Sequence, residues 1–356
     1  MMKKSFSILL FLLPFVSIGQ YNYGFLQEVY FGRQASARAE ALGKAYSSID
    51  GDLATIFFNP AGTSTIDGVE LIGTLASPFY LLENAEHSNL AVGYNVNQYL
   101  SIGFSRNHFS YGEEYTLMDL GGQVYKEYTP KTSIYTLNVS SQPVKNFMIG
   151  LNTNYLIYEP LDNQANAIYV DLGLIKKFEL GQKLFSNHSI NLGASISNLN
   201  SAKTEIEDLG QKSKEALPVI TRIGVNYQLQ FDKNWISDTL KTFGILLQGE
   251  YKFLMNSDYH NGIHSGLEFT LLEVLTTRIG YYLENQFDYD QPSFNKDEIS
   301  AITYGFGVQL PFHKLTKIPL RLNFDYASMP QPSYIKDDTD WDNFNSYTLR
   351  LNWMLN

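Results

Sequence analysis

The chain has 356 residues, with 26 Lys and Arg against 36 Asp and Glu, a formal charge of −10, and no cysteine. These counts exclude a disulfide-stapled secreted fold, a thiolate metal site and a cysteine nucleophile. An acidic chain that is only 17% charged is also a poor nucleic-acid binder. Aromatics nonetheless reach 14%, with 25 Tyr and 23 Phe, while mean hydropathy is slightly negative at −0.18. That combination suits a membrane β-barrel, in which half of each strand faces lipid and aromatic girdles mark both interfaces.

Met1–Gln20 reads as a secretory leader. Lys3 and Lys4 form a basic start, Phe6 to Val16 an apolar stretch, and Ser17-Ile18-Gly19 a small-x-small cleavage signature. The apolar run is shorter than the ~18 residues that a membrane-spanning helix needs. No Cys follows it, so a lipoprotein anchor is excluded. Cleavage after residue 19 removes two positive charges and takes the net charge from −10 to −12. No later segment is apolar for long enough to cross a membrane as a helix, which leaves strands.

Residues 21–67 do not alternate. They hold a short helical stretch, Ala35–Tyr46, and then Phe57-Phe58-Asn59-Pro60-Ala61-Gly62. From about residue 68 the period is two. Leu90, Val92, Tyr94 and Val96 alternate with Asn89, Ala91, Gly93 and Asn95; Leu100, Ile102 and Phe104 with Ser101, Gly103 and Ser105; Tyr347, Leu349, Leu351 and Trp353 with Ser346, Thr348, Arg350 and Asn352. A soluble sandwich sets Lys and Glu against water on its polar face. Here that face is mostly small and uncharged, as in a barrel lumen.

Fourteen such segments follow one another: about 69–77, 89–97, 99–109, 132–141, 147–158, 167–178, 188–198, 218–230, 242–254, 262–272, 276–284, 299–311, 317–327 and 345–355. Single-chain bacterial barrels carry even strand numbers, so residues 111–128 are assigned to a loop excursion. The connections alternate long and short, as extracellular loops and periplasmic turns do. Glu113, Glu114, Asp337, Asp338 and Asp340 sit on the long side. Tyr111, Tyr155, Tyr158, Tyr281, Tyr326, Tyr347 and Trp353 are expected at headgroup level. The strand glycines are expected to serve barrel curvature.

The fold expectation is therefore an all-β, up-and-down transmembrane barrel of about 14 strands over residues 68–356. A barrel of that width encloses a lumen. Residues 20–67, folded inward, would fill it as a plug, or hatch, containing a small helix.

The run SARAEALGKAYSSIDGDLATIFFNPAG, Ser36–Gly62, resembles the N-terminal signature of the FadL-like outer-membrane proteins. The matching positions are Arg38, Gly43, Asp52, Asn59, Pro60, Ala61 and, closing the run, Gly62. The later strands, Gly266–Glu284 onward, are also similar to that superfamily. One branch comprises long-chain fatty acid and hydrocarbon channels, and for it the resemblance implies a hatch, an internal ligand site and lateral exit. The other comprises PorV- and PorQ-type barrels, protein partners in type IX secretion. The implied partners are outer-membrane lipid, a small hydrophobic ligand (fatty acid or aromatic), and, in the second branch, proteins at the barrel wall and extracellular loops.

Among the later strands a charged strip occupies lumen-parity positions: Arg222, Glu250, Glu268, Arg278, Arg321, Asp325 and Arg350. Such charges persist inside a barrel when paired or wet. They are expected to pair with one another and with Arg38 and Asp52 of the plug; the competing expectation is that an Arg grips a carboxylate headgroup. Asn59 is expected to cap or turn the chain before Pro60. The six histidines (His87, His108, His188, His260, His264, His313) form neither a His-x-Ser pair nor a metal-ligand cluster in sequence, and no glycine-rich phosphate loop occurs. The reading is a non-enzymatic barrel with no cofactor: a channel for a small hydrophobic molecule, or alternatively an accessory barrel that binds proteins.

Overall fold

A computed structural model describes residues 36–354 apart from 77–85, 111, 113–114, 119–121, 160–163, 181–186, 209–210, 232–236, 238, 256–260, 288–295 and 331–342. The expected leader, residues 20–35 of the expected plug, Tyr111, and Glu113, Glu114, Asp337, Asp338 and Asp340 lie outside the described residues.

Fourteen antiparallel strands close into a barrel. In chain order they are β1 (Val69–Ala76), β2 (Glu86–Asn97) and β3 (Leu100–Ser110), then β6 (Lys131–Val144), β7 (Phe147–Glu159), β8 (Ala165–Glu179) and β9 (Asn187–Ser197). They continue as β12 (Ile220–Phe231), β13 (Phe243–Leu254), β14 (Gly262–Leu271) and β15 (Leu275–Phe287). The last are β16 (Lys296–Pro311), β17 (Leu320–Met329) and β18 (Phe344–Trp353). The ring closes where β1 pairs with β18, from Val69 opposite Trp353 to Ala76 opposite Ser346. Closure pairs every strand edge, the condition for crossing lipid with strands.

Two further hairpins stand off the barrel among the described residues: β4 (Tyr115–Met118) with β5 (Val124–Tyr128), and β10 (Lys203–Asp208) with β11 (Gln211–Ala216). The segment 111–128 is thus an excursion, as parity requires, but a paired one. The second hairpin lies in what the sequence reads as plain loop. Its strands are short and carry charges on both faces, so no apolar alternation announces them.

The barrel inverts the order of a soluble protein. On β3, Ser101 and Ser105 are fully buried while Ile102 and Phe104 are 42% and 47% exposed. Leaving such large side chains outside is favourable only if the surroundings are apolar, so the outer face is a lipid face. Two aromatic expectations need correction. Tyr158 is buried in the lumen, because its parity on β7 matches Leu156 rather than the exposed Tyr155. Tyr281 lies mid-strand on β15, away from either strand end.

Inside the barrel sits the plug: α1 (Ala37–Ala41) and two 3-10 helices, Leu53–Phe57 and Pro60–Thr65. Helices this short do not hold in water alone; caps and burial fix them here. The Asp52 side chain accepts from the Ala54 N–H at 2.9 Å, and the Asn59 side chain from the Ala61 N–H at 3.1 Å, with Pro60 in the first helical position. Ala37, Ala39 and Ala41 are fully buried.

The strand glycines explain how the plug fits. They clear room for plug backbone more than they bend strands. A Cβ on Gly93 of β2 would stand 2.7 Å from Leu53, and one on Gly266 of β14 would stand 2.7 Å from the Leu42 carbonyl. On Gly150, Gly173, Gly193 and Gly280 it would overlap Pro60, Asn59, Ser47 and Gly43 respectively. Gly43 itself has φ +64° and lies against the Ser265 and Tyr281 carbonyls. It is glycine for conformation and for space.

Gly173→Leu is therefore expected to unseat the plug while the barrel still closes, an overpacking penalty of about 1–3 kcal/mol or more. Folded barrel on a heat-modifiability gel with raised ion conductance in planar bilayers is the expected result. Gly73→Leu is the control, since its Cβ meets nothing within 4 Å.

Candidate functional site: plug, lumen charges and the two chambers

Arg38 leaves α1 and reaches the wall. Its Nε and Nη2 donate to the two carboxylate oxygens of Glu268, both at 2.8 Å, and its Nη1 donates to Asp52 at 2.9 Å. This is the bidentate fork that a guanidinium offers a carboxylate. Glu268 is shared with Arg278, which donates through Nε at 2.6 Å and through Nη1 to Asp325 at 2.7 Å. Asp52 is shared with Arg350 at 2.9 Å and accepts the Tyr46 hydroxyl at 2.6 Å. Arg350 also lies 3.4 Å from Glu70 of β1. Burial alone would raise the Asp52 carboxyl; the Arg350 and Arg38 guanidiniums outweigh it and hold it at about 2.

A second group stands nearer the long-loop end. Arg222 donates to Glu250 at 2.6 Å and stacks over the Phe58 ring at 5.4 Å. The other Glu250 oxygen accepts the plug N–H groups of Tyr46 and Ser47 at 2.9 and 2.7 Å. Lys252 pairs with Glu284 at 2.8 Å, and His264 Nδ1 bonds the Gly43 carbonyl at 2.7 Å.

Of the seven lumen candidates, the structure joins Glu268, Arg278, Asp325 and Arg350 to the plug-side network, and Arg222 and Glu250 to the second group. Arg321 stands apart at the short-turn rim, 3.9 Å from Asp67. Of the plug candidates, Arg38 and Asp52 carry charge contacts. Asn59 caps its helix and donates to the Ser47 and Leu174 carbonyls at 2.6 and 3.1 Å. Pro60 and Ala61 pack under Gly150, and Gly62 has no room for a Cβ against Thr55 and Ile49. The sequence reading omits Glu70, Lys252, His264 and Glu284. Strand parity could find them, since Lys252 and Glu250 share a face, as do His264 and Glu268.

The plug divides the lumen into two chambers with no lining residue in common. The short-turn chamber, about 750 Å³, is polar and includes Arg38, Asp50, Lys177, Gln228 and Glu268. The long-loop chamber is small, about 80 Å³, and mixed. Phe57 and Phe58 of the plug face Ile134, Tyr169 and Ile220 there, with Lys44, Arg222 and Lys252 alongside. Those wall residues belong to an apolar cluster inside the lumen with Leu156, Tyr158, Leu254 and Leu217.

Glu268→Gln strips charge from a carboxylate held by two buried guanidiniums and is expected to weaken plug docking by about 3–5 kcal/mol. Hydrogen exchange over residues 36–67 should accelerate while strand amides stay protected. Asp325→Asn, which among the described residues removes an ion pair to Arg278 and none to the plug, should have the smaller effect.

No family model and no curated protein matches this chain. Several solved structures are similar to it. The toluene transporter TodX of Pseudomonas putida is 12% identical with a TM-score of 0.47, over 89% of this chain and 96% of that one. A FadL homologue of Pseudomonas aeruginosa is 9% identical at 0.44, over 90% and 98%. The toluene transporter TbuX of Ralstonia pickettii is 9% identical at 0.42, over 89% and 97%. With TM-scores under 0.5 these likenesses carry no function over to this chain; the barrel is read from its own strand pairing.

Proposed function

We propose that the protein is an outer-membrane channel that admits a small hydrophobic molecule from the long-loop side and releases it when the plug moves. Residues 1–19 would direct export and be removed, and the acidic long loops would face the exterior. The observation that carries this reading is the apolar cluster inside the lumen. A barrel lumen is ordinarily polar. Here Leu156, Tyr158, Tyr169, Ile220 and Leu254 turn apolar surface inward at the long-loop end, against Phe57 and Phe58.

An apolar solute leaving water for that cluster gains the transfer free energy of its buried surface. A polar head on it, whether carboxylate or hydroxyl, would meet Arg222 and Lys44 at the edge of the same chamber. Onward passage then requires plug displacement, because the two chambers are separate. The plug charges are closed on one another, so their role in this reading is to seat the gate. Ligand contact falls to the apolar cluster.

Ile220→Ser removes about 1.5–3 kcal/mol of apolar contact and is expected to weaken uptake of a fatty acid or monoaromatic by about tenfold or more. Proteoliposomes loaded from outside, with the empty vesicle as blank, provide the measurement. Native extraction in mild detergent separates this reading from its alternative. A stoichiometric protein partner and no bound lipid-like ligand would replace the channel with an accessory barrel; a fatty or aromatic ligand by mass spectrometry would retain it.

A further inference from the structure

Among the described residues, each buried carboxylate of the lumen is bonded through at least one oxygen, with one exception. Asp52, Glu70, Glu250 and Glu268 each receive at least two hydrogen bonds, and Asp171 accepts from Asn152, Asn154 and the Asn198 N–H. Glu40, on α1, is 1% exposed, and neither of its carboxylate oxygens has a hydrogen-bond partner among the described residues. A buried polar group without a partner calls for a reason.

The charges facing Glu40 are named easily. Lys44 follows it one turn later and lies over the Tyr282 ring at 5.1 Å. Lys252 of β13 and Glu284 of β15 are closed on each other, and His264 Nε2 of β14 is 3.4 Å from Glu284. Of the other charges on strands packed against α1, Arg278, Asp325 and Arg350 bind through Glu268, Asp52 and Glu70, and Arg321 stands at the short-turn rim near Asp67. Thr303 Oγ1 of β16 accepts the Gly43 N–H at 3.1 Å. None of these bonds Glu40 among the described residues.

We propose that Glu40 makes docking of the plug proton-linked, so that the plug seats most firmly with Glu40 protonated and loosens when it ionises. A neutral carboxyl tolerates a dry site; a carboxylate there loses its water and gains no donor in exchange. Burial is the main cause that pushes Glu40 up to about 7, with Glu284 adding to it and Lys44 and Lys252 opposing it. Once the plug leaves, the side chain regains water and its ordinary value of about 4.5. The docked state therefore binds the proton more tightly. Docking is strongest below about pH 4.5, weakens as the pH rises to about 7, and is level above that. The full difference corresponds to at most about 300-fold in the docking equilibrium, at tenfold per pH unit. The linkage belongs to the plug and holds whether the barrel passes a solute or binds a protein.

The test is hydrogen exchange on the full chain in detergent micelles, corrected for the intrinsic pH dependence of exchange. Residues 36–49 report docking, and strand amides serve as the internal reference. The expected result is plug opening that rises between about pH 4.5 and pH 7 in the wild type, with up to about 300-fold of that rise lost in Glu40→Gln. A wild-type plug with no slope in that window overturns the proposal, and so does a slope that is unchanged in Glu40→Gln. If Glu40→Gln does not fold, Glu40→Asp serves. It keeps a titrating carboxyl and should keep the slope, and a level profile there overturns the proposal. Infrared difference spectra, wild type minus Glu40→Gln, supply a second readout: a protonated-carboxyl stretch lost with a midpoint near 7 supports it, and its absence at pH 5 overturns it.

Discussion

The contact on which the interior depends is the Arg38 fork. It ties a five-residue helix to a wall strand 230 positions later, through two hydrogen bonds of 2.8 Å to Glu268. From Glu268 the charge passes to Arg278 and Asp325; from Asp52 it passes to Arg350 and toward Glu70. Each member would be costly alone in the lumen, since breaking a buried pair leaves its partner uncompensated. The plug and five wall strands therefore share one electrostatic balance, and neither half is complete without the other.

Charge holds the plug, and glycine admits it. The wall presents glycine wherever plug backbone runs closest, at Gly150 and Gly173 for the Asn59–Ala61 turn and at Gly266 and Gly280 for Leu42 and Gly43. This close fit divides the lumen and leaves a small mixed chamber above a larger polar one. It also explains why Glu40 has no bond among the described residues: the helix that carries it is pressed among alanines and strand backbone. The same tightness that seals the barrel creates the group able to loosen it.

Much of the barrel was legible in the chain. Strand positions came from a period of two that lipid and lumen impose residue by residue, so each fourteen-strand segment could be read locally. The hairpin β10–β11 was not legible, because it stands off the barrel and answers to no such contrast. Tyr158 was misplaced for a related reason: an aromatic near a strand end suits the interface by type, and only its parity with Leu156 shows that it turns inward. The glycines were visible but their purpose was not, since a gap in one strand has meaning only against the segment that fills it.

The sequence by itself determined the barrel, its faces, its strand number and the plug signature from Arg38 to Gly62, because these follow from local period, composition and motif. Only the tertiary structure decided which lumen charge meets which plug atom. Glu250 grips two plug amides, Lys252 closes on Glu284, and Glu40 is left with no donor among the described residues. The Glu250 contacts join residues about two hundred positions apart. They depend on how the closed sheet turns its strands around the plug, a geometry that no local pattern records.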